Sequence, residues 1–310
     1  VALYLREDDV EQLLAPEDAV EAVEGCFARM ARGAIENRPR FRLGLTDGLL
    51  HVLAAADLEL GVAGLKTYVG FAEGTRFVVA LFAADRPELL AVIDADRLGQ
   101  LRTGAASAVA ARHLAKEGAR TLGVIGTGWQ AESQVRCIRA ALPGIEEVVA
   151  FSRNAERLAD FCKRLDCEPG EYNKDAAEQD VVVTITSSRD PVLRGEWLRP
   201  GALVCAAGAN RIQARELDNA VLERATFVCC DSREQAKLEA GDLVEPVERG
   251  VLDWLEVHEL HEVVAGEISG RQHEDDIVVF KSLGIAAEDL AVASLVVERA
   301  RERGVGVELG

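Results

Sequence analysis

Several absences narrow what this chain can be. No uninterrupted apolar run is long enough to span a bilayer as a helix, although apolar residues make up 49% of the sequence. The opening residues, Val1 to Asp9, carry no basic stretch followed by an apolar one, so no secretory signal is expected. Positive charge is in short supply: 53 acidic and 35 basic residues give a formal net charge of −18, and few of the basic residues are lysines. That balance argues against a nucleic-acid or anionic-membrane partner. It fits a salty or hot habitat, or a biased genome, equally well. The seven cysteines are an odd number without scaffold-like spacing. Cys205, Cys229 and Cys230 lie in strand-like apolar runs, and a reduced, cytoplasmic chain is a simpler expectation than a Cys162–Cys167 bridge. No Ser-His-Asp or Cys-His arrangement can be placed from spacing. His258 and His261 have helical i, i+3 spacing, but Glu259 and Glu262 beside them read as a solvated helix face, and no metal is expected. Internal repeats and low-complexity segments are missing too.

What is present begins with Thr121-Leu-Gly-Val-Ile-Gly-Thr-Gly-Trp-Gln-Ala131. A short apolar strand, a tight turn at Gly126 and Gly128, and an amphipathic run from about Gln130 give the strand–turn–helix context of a dinucleotide-binding fingerprint. Gly126 permits the turn, Gly128 lets backbone N–H groups approach a pyrophosphate, and Ala131 lets the helix pack on the strand. The helix N-terminus adds unpaired N–H donors and the positive end of its dipole.

The length of 310 residues suggests two domains. A helix is expected over 16–34, then a basic extended segment over 37–43. Strands are expected at 49–54, 61–69, 77–82 and 89–93, with a turn at 85–88. Consecutive strands closed by a helix over 94–114 describe an antiparallel α+β domain. From 119 the pattern alternates, with strands at 121–125, 147–151, 180–186, 202–207 and 226–230, which describes a doubly wound parallel sheet. A long helix over 286–303 is expected to return to the first domain. The expected class is therefore α/β: a Rossmann domain plus an α+β antiparallel-sheet domain. Few helices are available there to cover an apolar sheet, which predicts a homodimer.

Cofactor choice is read after the second Rossmann strand, where an acid would select NAD. Ser152 and Arg153 stand there, with Arg157 a turn later; both can engage a 2′-phosphate, so NADP is expected over NAD. Lys66 lies inside an apolar strand, either snorkelling from an edge or desolvated at a cleft with a lowered pKa. Arg102, on an apolar helix, needs a carboxylate or phosphate partner. Arg40 or Arg42 could clamp a substrate carboxylate, or belong to a solvated basic turn.

Taken together, Arg38-Pro-Arg40, Gly64-Leu-Lys66, Leu101-Arg-Thr-Gly-Ala-Ala-Ser107, Gly126-Thr-Gly-Trp-Gln130, Ala207-Gly-Ala-Asn210, Asp231-Ser-Arg-Glu-Gln235 and Phe280-Lys-Ser-Leu-Gly-Ile-Ala286 with Glu288-Asp289 resemble the ornithine cyclodeaminase/μ-crystallin family over nearly the whole chain. The resemblance implies a dimerisation and substrate domain of 1–118 with 286–310, and a Rossmann domain of 119–285. It implies that Arg40 and Lys66 hold a substrate carboxylate, that Lys66 also transfers a proton, and that Arg102 bridges substrate and cofactor. By the same resemblance, Thr103, Gly126, Thr127, Gly128, Trp129, Gln130, Thr186, Ala207, Gly208, Ala209 and Ser282 surround the cofactor. Cyclodeaminases have an aspartate where this chain has Asn210, which cannot take a proton at neutral pH. The expected activity is NAD(P)-dependent redox chemistry at the C–N bond of a 2-imino, cyclic imino or amino acid, or of a keto acid with an amine. Redox-neutral cyclodeamination with bound NAD and a non-catalytic, NADP-loaded binding protein are the alternatives.

Overall fold

The computed structural model describes every residue from Val1 to Gly310. The chain divides into two compact units: Val1–Arg102 with Gly284–Gly310, and Thr103–Leu283. The change in sequence pattern near 119 comes later than this division, which falls inside a helix. Beyond Thr103 that helix packs within the second unit, where a Cβ on Gly104 would overlap the Ser133 backbone.

The first unit opens with β1 (Ala2–Leu5), α1 (Glu7–Leu13) and α2 (Pro16–Ala31). Five strands follow: β2 (Ile35–Gly44), β3 (Leu49–Asp57), β4 (Val62–Phe71), β5 (Gly74–Ala83) and β6 (Leu89–Asp94). Helix α3 (Asp96–Leu114) carries the chain across the division. Next come β7 (Thr121–Ile125), α4 (Trp129–Ala141), β8 (Glu147–Phe151), α5 (Ala155–Leu165), β9 (Glu168–Pro169), α6 (Asn173–Ala177), β10 (Val181–Thr184) and β11 (Leu203–Ala206). The second unit continues through α7 (Asn219–Arg224), β12 (Phe227–Cys230), α8 (Arg233–Glu239), α9 (Gly241–Glu248), β13 (Val257–Glu259), α10 (Leu260–Val264) and β14 (Val278–Lys281). Finally α11 (Ala286–Arg303) and β15 (Val307–Leu309) complete the first unit.

The first-unit sheet has the order β15-β1-β6-β5-β4-β3-β2, antiparallel except for the parallel β1–β6 pair. Alternation sorts its side chains. Leu53, Ala55 and Asp57 are buried on the face that receives α11, whose Leu290 packs over Gly64. The opposite face shows Phe41 and Leu43, 57% and 46% exposed, in rows with Val52 and Leu50. Pro39 cannot donate to the ladder, and the β2–β3 register shifts between Arg38 and Phe41. After the shift Arg42 pairs with His51, so Arg40 and Arg42 share the α11 face. Helix α2 stops at Ala31, short of the expected 34, because Gly33 takes a left-handed φ of 70°.

The second-unit sheet is wholly parallel, ordered β13-β12-β14-β11-β10-β7-β8-β9, with the order reversing between β7 and β10. Its central strands are buried apolar runs, as a sheet covered on both faces requires. His258 and His261 are not on one helix: His258 lies in β13, its ring stacked on Phe227, and His261 is in α10. All seven cysteines are free. No helix is long and apolar enough to cross a membrane.

Candidate active site

Within the first unit, strands and helices bring three cations and two carboxylates together out of water. Lys66, on β4, is 2% exposed, and its Nζ donates to Asp289 Oδ1 at 2.9 Å. Arg102, on α3, donates through Nε to the same oxygen at 2.8 Å and through a terminal nitrogen to Glu288 at 3.0 Å. Arg40, on β2, donates to the Gly284 carbonyl at 3.1 Å. Glu288 and Asp289 lie in the first turn of α11, where the helix dipole favours acids, and both are fully buried.

Lys66 is the residue whose chemistry this environment changes most. Burial lowers its pKa from 10.5 to about 8, opposed by Asp289 and reinforced by the charges of Arg102 and Arg40. Gly99 of α3 makes room for the ammonium; a Cβ there would lie 2.5 Å from Nζ. Arg102 shifts the other way, because Asp289 and Glu288 outweigh the burial that would lower it. Beside Lys66 runs an aromatic row. Its Nζ is 5.3 Å from the Phe77 centroid, Phe77 packs on Tyr68 at 4.7 Å, and Tyr68 stacks on His51 at 4.2 Å and 7°. Arg42 is the cross-strand neighbour of His51.

In the second unit, most of the remaining expected residues follow the carboxyl ends of parallel strands, where open α/β sheets bind ligands, while Thr103 lies in α3 and Arg157 in α5. Gly126, Thr127 and Gly128 follow β7 at the point of order reversal, and Trp129 and Gln130 open α4. Gly126 has φ 112°, and a Cβ there would press on the Ile185 carbonyl. A Cβ on Gly128 would meet nothing within 4 Å, so the turn's backbone is accessible. Thr127 Oγ1 and Gln130 Oε1 are buried atoms with no hydrogen-bond partner. An open cleft of about 560 Å³ runs along this turn, lined by Trp129, Glu132, Arg157 and Arg164 among others. A phosphate-bearing dinucleotide fits these features.

Ser152 and Arg153 follow β8, with Arg153 exposed; Arg157 donates its backbone N–H to Asn154, the cap of α5. Thr186 follows β10, Ala207 to Asn210 follow β11, and Ser282 follows β14 with its hydroxyl 3.4 Å from Asp231. The Thr103 carbonyl accepts from Gln134 at 3.2 Å. Asn210 and Thr103 thus lie in the second unit, while Arg40, Lys66 and Arg102 lie in the first.

Four carboxylates in these surroundings escaped sequence reasoning as site residues. Glu288 and Asp289 entered only as part of the family resemblance, with no role assigned; the signal that could have found them is their place in the otherwise apolar start of α11. Glu216 and Asp242 lie outside the recognisable motifs, and contacts such as Glu216 with Thr186 and Asp242 with Glu216 join residues far apart in sequence. Fully buried Glu216 accepts from Thr184, Thr186, Gly208 and Ala209, and Asp242 ties the Glu216 main chain to Lys281.

The fold and its two residue clusters define a dinucleotide-fingerprint α/β protein with a separate unit that concentrates cations. Comparison with known proteins specifies it further. The sequence profile of the ornithine cyclodeaminase/mu-crystallin family matches residues 1–304, and the chain belongs to that family. It is 35% identical to the alanine dehydrogenase of Archaeoglobus fulgidus, over 99% of this chain and 98% of that protein. The Thermococcus litoralis Δ1-pyrroline-2-carboxylate reductase, solved in complex with NADH and L-proline, superposes with a TM-score of 0.93 at 28% identity, covering 99% of this chain and all of that one. An archaeal alanine dehydrogenase dimer with bound NAD gives the same TM-score at 33% identity, over 100% of this chain and 99% of that one.

Proposed function

We propose that this protein is an NAD(P)-dependent oxidoreductase acting on C–N bonds, reducing a 2-imino or cyclic imino acid to the amino acid or running the reverse reaction. The observation that carries the reading is the buried cluster around Lys66, in which an ammonium of lowered pKa shares one Asp289 oxygen with Arg102. The ammonium of Lys66 and the planar fork of Arg40 are the groups that would hold a substrate carboxylate. The Gly126–Gln130 turn and the loops after β8, β10, β11 and β14 would hold a nicotinamide dinucleotide, which would supply the hydride chemistry when bound. Lys66 holds the proton that the substrate nitrogen or its neighbour needs. Asp289 keeps the ammonium in place and, by balancing Arg102 too, stops the two cations from repelling one another.

Asn210 hydrogen-bonds but does not titrate in this range, which fits a reaction that needs no second base. Redox-neutral cyclodeamination and ligand storage without turnover are therefore secondary readings. For the cofactor we infer a preference for NADP: the turn after β8 offers the Ser152 hydroxyl and the exposed Arg153 and has no carboxylate of its own. Glu132 and Asp160, which border the cleft, are each paired with Arg164. The reading also includes a homodimer formed through the outer face of the first-unit sheet.

The test is absorbance at the reduced-nicotinamide band with 2-oxo acids plus ammonia or methylamine, and with cyclic imines. Oxidation of the cofactor by at least one of these is expected; ornithine turnover without net redox change would replace the proposal with cyclodeamination. Direct titration should show NADPH binding more tightly than NADH, with Arg153→Asp reversing the order. Tighter NADH binding by the parent protein would remove the roles given to Ser152 and Arg153.

A further inference from the structure

Glu216 lies outside every motif that points to the cofactor, yet its carboxylate is where the ends of β10 and β11 meet. Oε1 accepts from the Thr186 backbone N–H at 2.7 Å and from the Thr186 hydroxyl at 2.8 Å. Oε2 accepts from the Gly208 and Ala209 N–H groups at 2.7 and 3.1 Å and from the Thr184 hydroxyl at 3.1 Å. The chain is pressed onto this carboxylate, since a Cβ on Gly208 would lie 2.5 Å from Oε1. Behind it, Asp242 Oδ1 accepts from the Glu216 and Leu217 N–H groups, and Asp242 Oδ2 pairs with Lys281 on β14 at 3.0 Å. Glu216 has no exposed surface.

A buried carboxylate is expensive, and joining two strand ends does not require one, because main-chain groups can pair with each other. What it does here is orient. The Thr186 hydroxyl commits its only hydrogen to Glu216 and accepts from the Ser188 N–H at 3.2 Å. Toward a ligand, Thr186 Oγ1 therefore has only a lone pair to offer, and the ligand group facing it must be a donor. Ribose hydroxyls and the adenine amino group can also donate, but the adenosine side of a dinucleotide is read after the second strand of such a sheet, here β8; past β10 the carboxamide NH₂ is the cofactor group that can only donate.

We infer that Glu216 is the positioning residue for the nicotinamide end of the cofactor site: acting through Thr186, Gly208 and Ala209, it fixes the Thr186 hydroxyl as an acceptor for the carboxamide. This rests on the oxidoreductase reading above. Each carboxylate oxygen faces main-chain N–H groups, so a glutamine at this position sets its NH₂ against one of them whichever way it turns. The loops are then displaced and the Thr186 hydroxyl released.

The test is binding, measured by calorimetry on the full-length protein. Glu216→Gln should weaken NADPH or NADH about tenfold or more, while ADP-ribose, which carries the pyrophosphate and both riboses without nicotinamide, should bind within about twofold of the parent. The parent should bind NAD(P) more tightly than the 3-acetylpyridine analogue, which lacks the NH₂, and Glu216→Gln should narrow that gap. Thr184→Val removes one donor to Oε2 without touching the cofactor loops; it should shift the same ratios in the same direction by less, and it carries the test if Glu216→Gln does not fold. Equal weakening of the dinucleotide and ADP-ribose, or of neither, overturns the role of Glu216. A parent protein that binds neither overturns the oxidoreductase reading, and this role with it.

Discussion

Lys66 retains its proton under competing influences, and this gives the molecule a measurable pH response. Burial favours the neutral amine, Asp289 favours the ammonium, and the balance lies at about 8. The folded-state value is below the ordinary 10.5, so between those two pH values the unfolded chain binds more protons, and this residue's contribution makes the fold more stable as pH rises through that window. For the proposed chemistry the sign is opposite in the two directions. Imine reduction needs the ammonium, so its turnover should fall as pH rises through about 8, while amino-acid oxidation should gain. Rates measured in both directions over this range check the claim, and profiles flat across it would take Lys66 out of the proton transfer. Lys66→Met keeps length and apolar packing but deletes the charge. It should lower turnover by roughly 10²–10⁴-fold with dinucleotide binding nearly intact. Near-parental turnover in that variant would leave Lys66 a structural residue. A charged residue in an apolar strand is legible from sequence, but the choice between snorkelling and desolvation is not, because it depends on Asp289 more than two hundred residues away.

At the scale of elements, the turn after β7 is tightly constrained backbone near the proposed cofactor site. Gly126→Ala would place a Cβ at φ 112° and against the Ile185 carbonyl. Strain and overlap together should destabilise the second unit by roughly 1–3 kcal/mol and weaken ADP-ribose binding, since the phosphate-facing turn would move. Calorimetric unfolding with and without ADP-ribose checks both effects; an unchanged midpoint and affinity would mean the turn tolerates a side chain. Elements with strong periodicity were legible: β3 to β6 alternate, and α3 and α11 bear wide apolar surfaces. Others left little trace. β13 and β14 span Val257–Glu259 and Val278–Lys281, too short to show a period, and their pairing is set by distant neighbours. His258 and His261 misled because the chain changes from strand to helix between them, which i, i+3 spacing cannot reveal. The bulge at Pro39 decides which face Arg40 takes, and only the register with β3 shows it.

At the scale of the whole molecule, the outer face of the first-unit sheet is the feature to test. Rows such as Phe41–Val52–Thr67–Val78 are largely apolar, and Phe41, Leu43, Phe71 and Phe82 are substantially exposed. A surface of this kind is usually covered by a partner. The protein should run as a homodimer in light scattering at micromolar concentration, and Phe41→Asp should shift it toward monomer. A parent protein that is monomeric under those conditions would remove the homodimer from the proposed function.

The first unit is discontinuous in sequence, and this has a consequence for biosynthesis. Residues 103–283 are made as one uninterrupted stretch, so the second unit has all its parts before Gly284–Gly310 are made. The first unit does not: it needs Glu288, Asp289 and the helix that covers its sheet, which follow that stretch. Until they emerge, the nascent chain holds Lys66 and Arg102 without the carboxylates that pair with them, and its sheet lacks the helix that closes it. The two units are therefore completed in the reverse of the order in which they are begun.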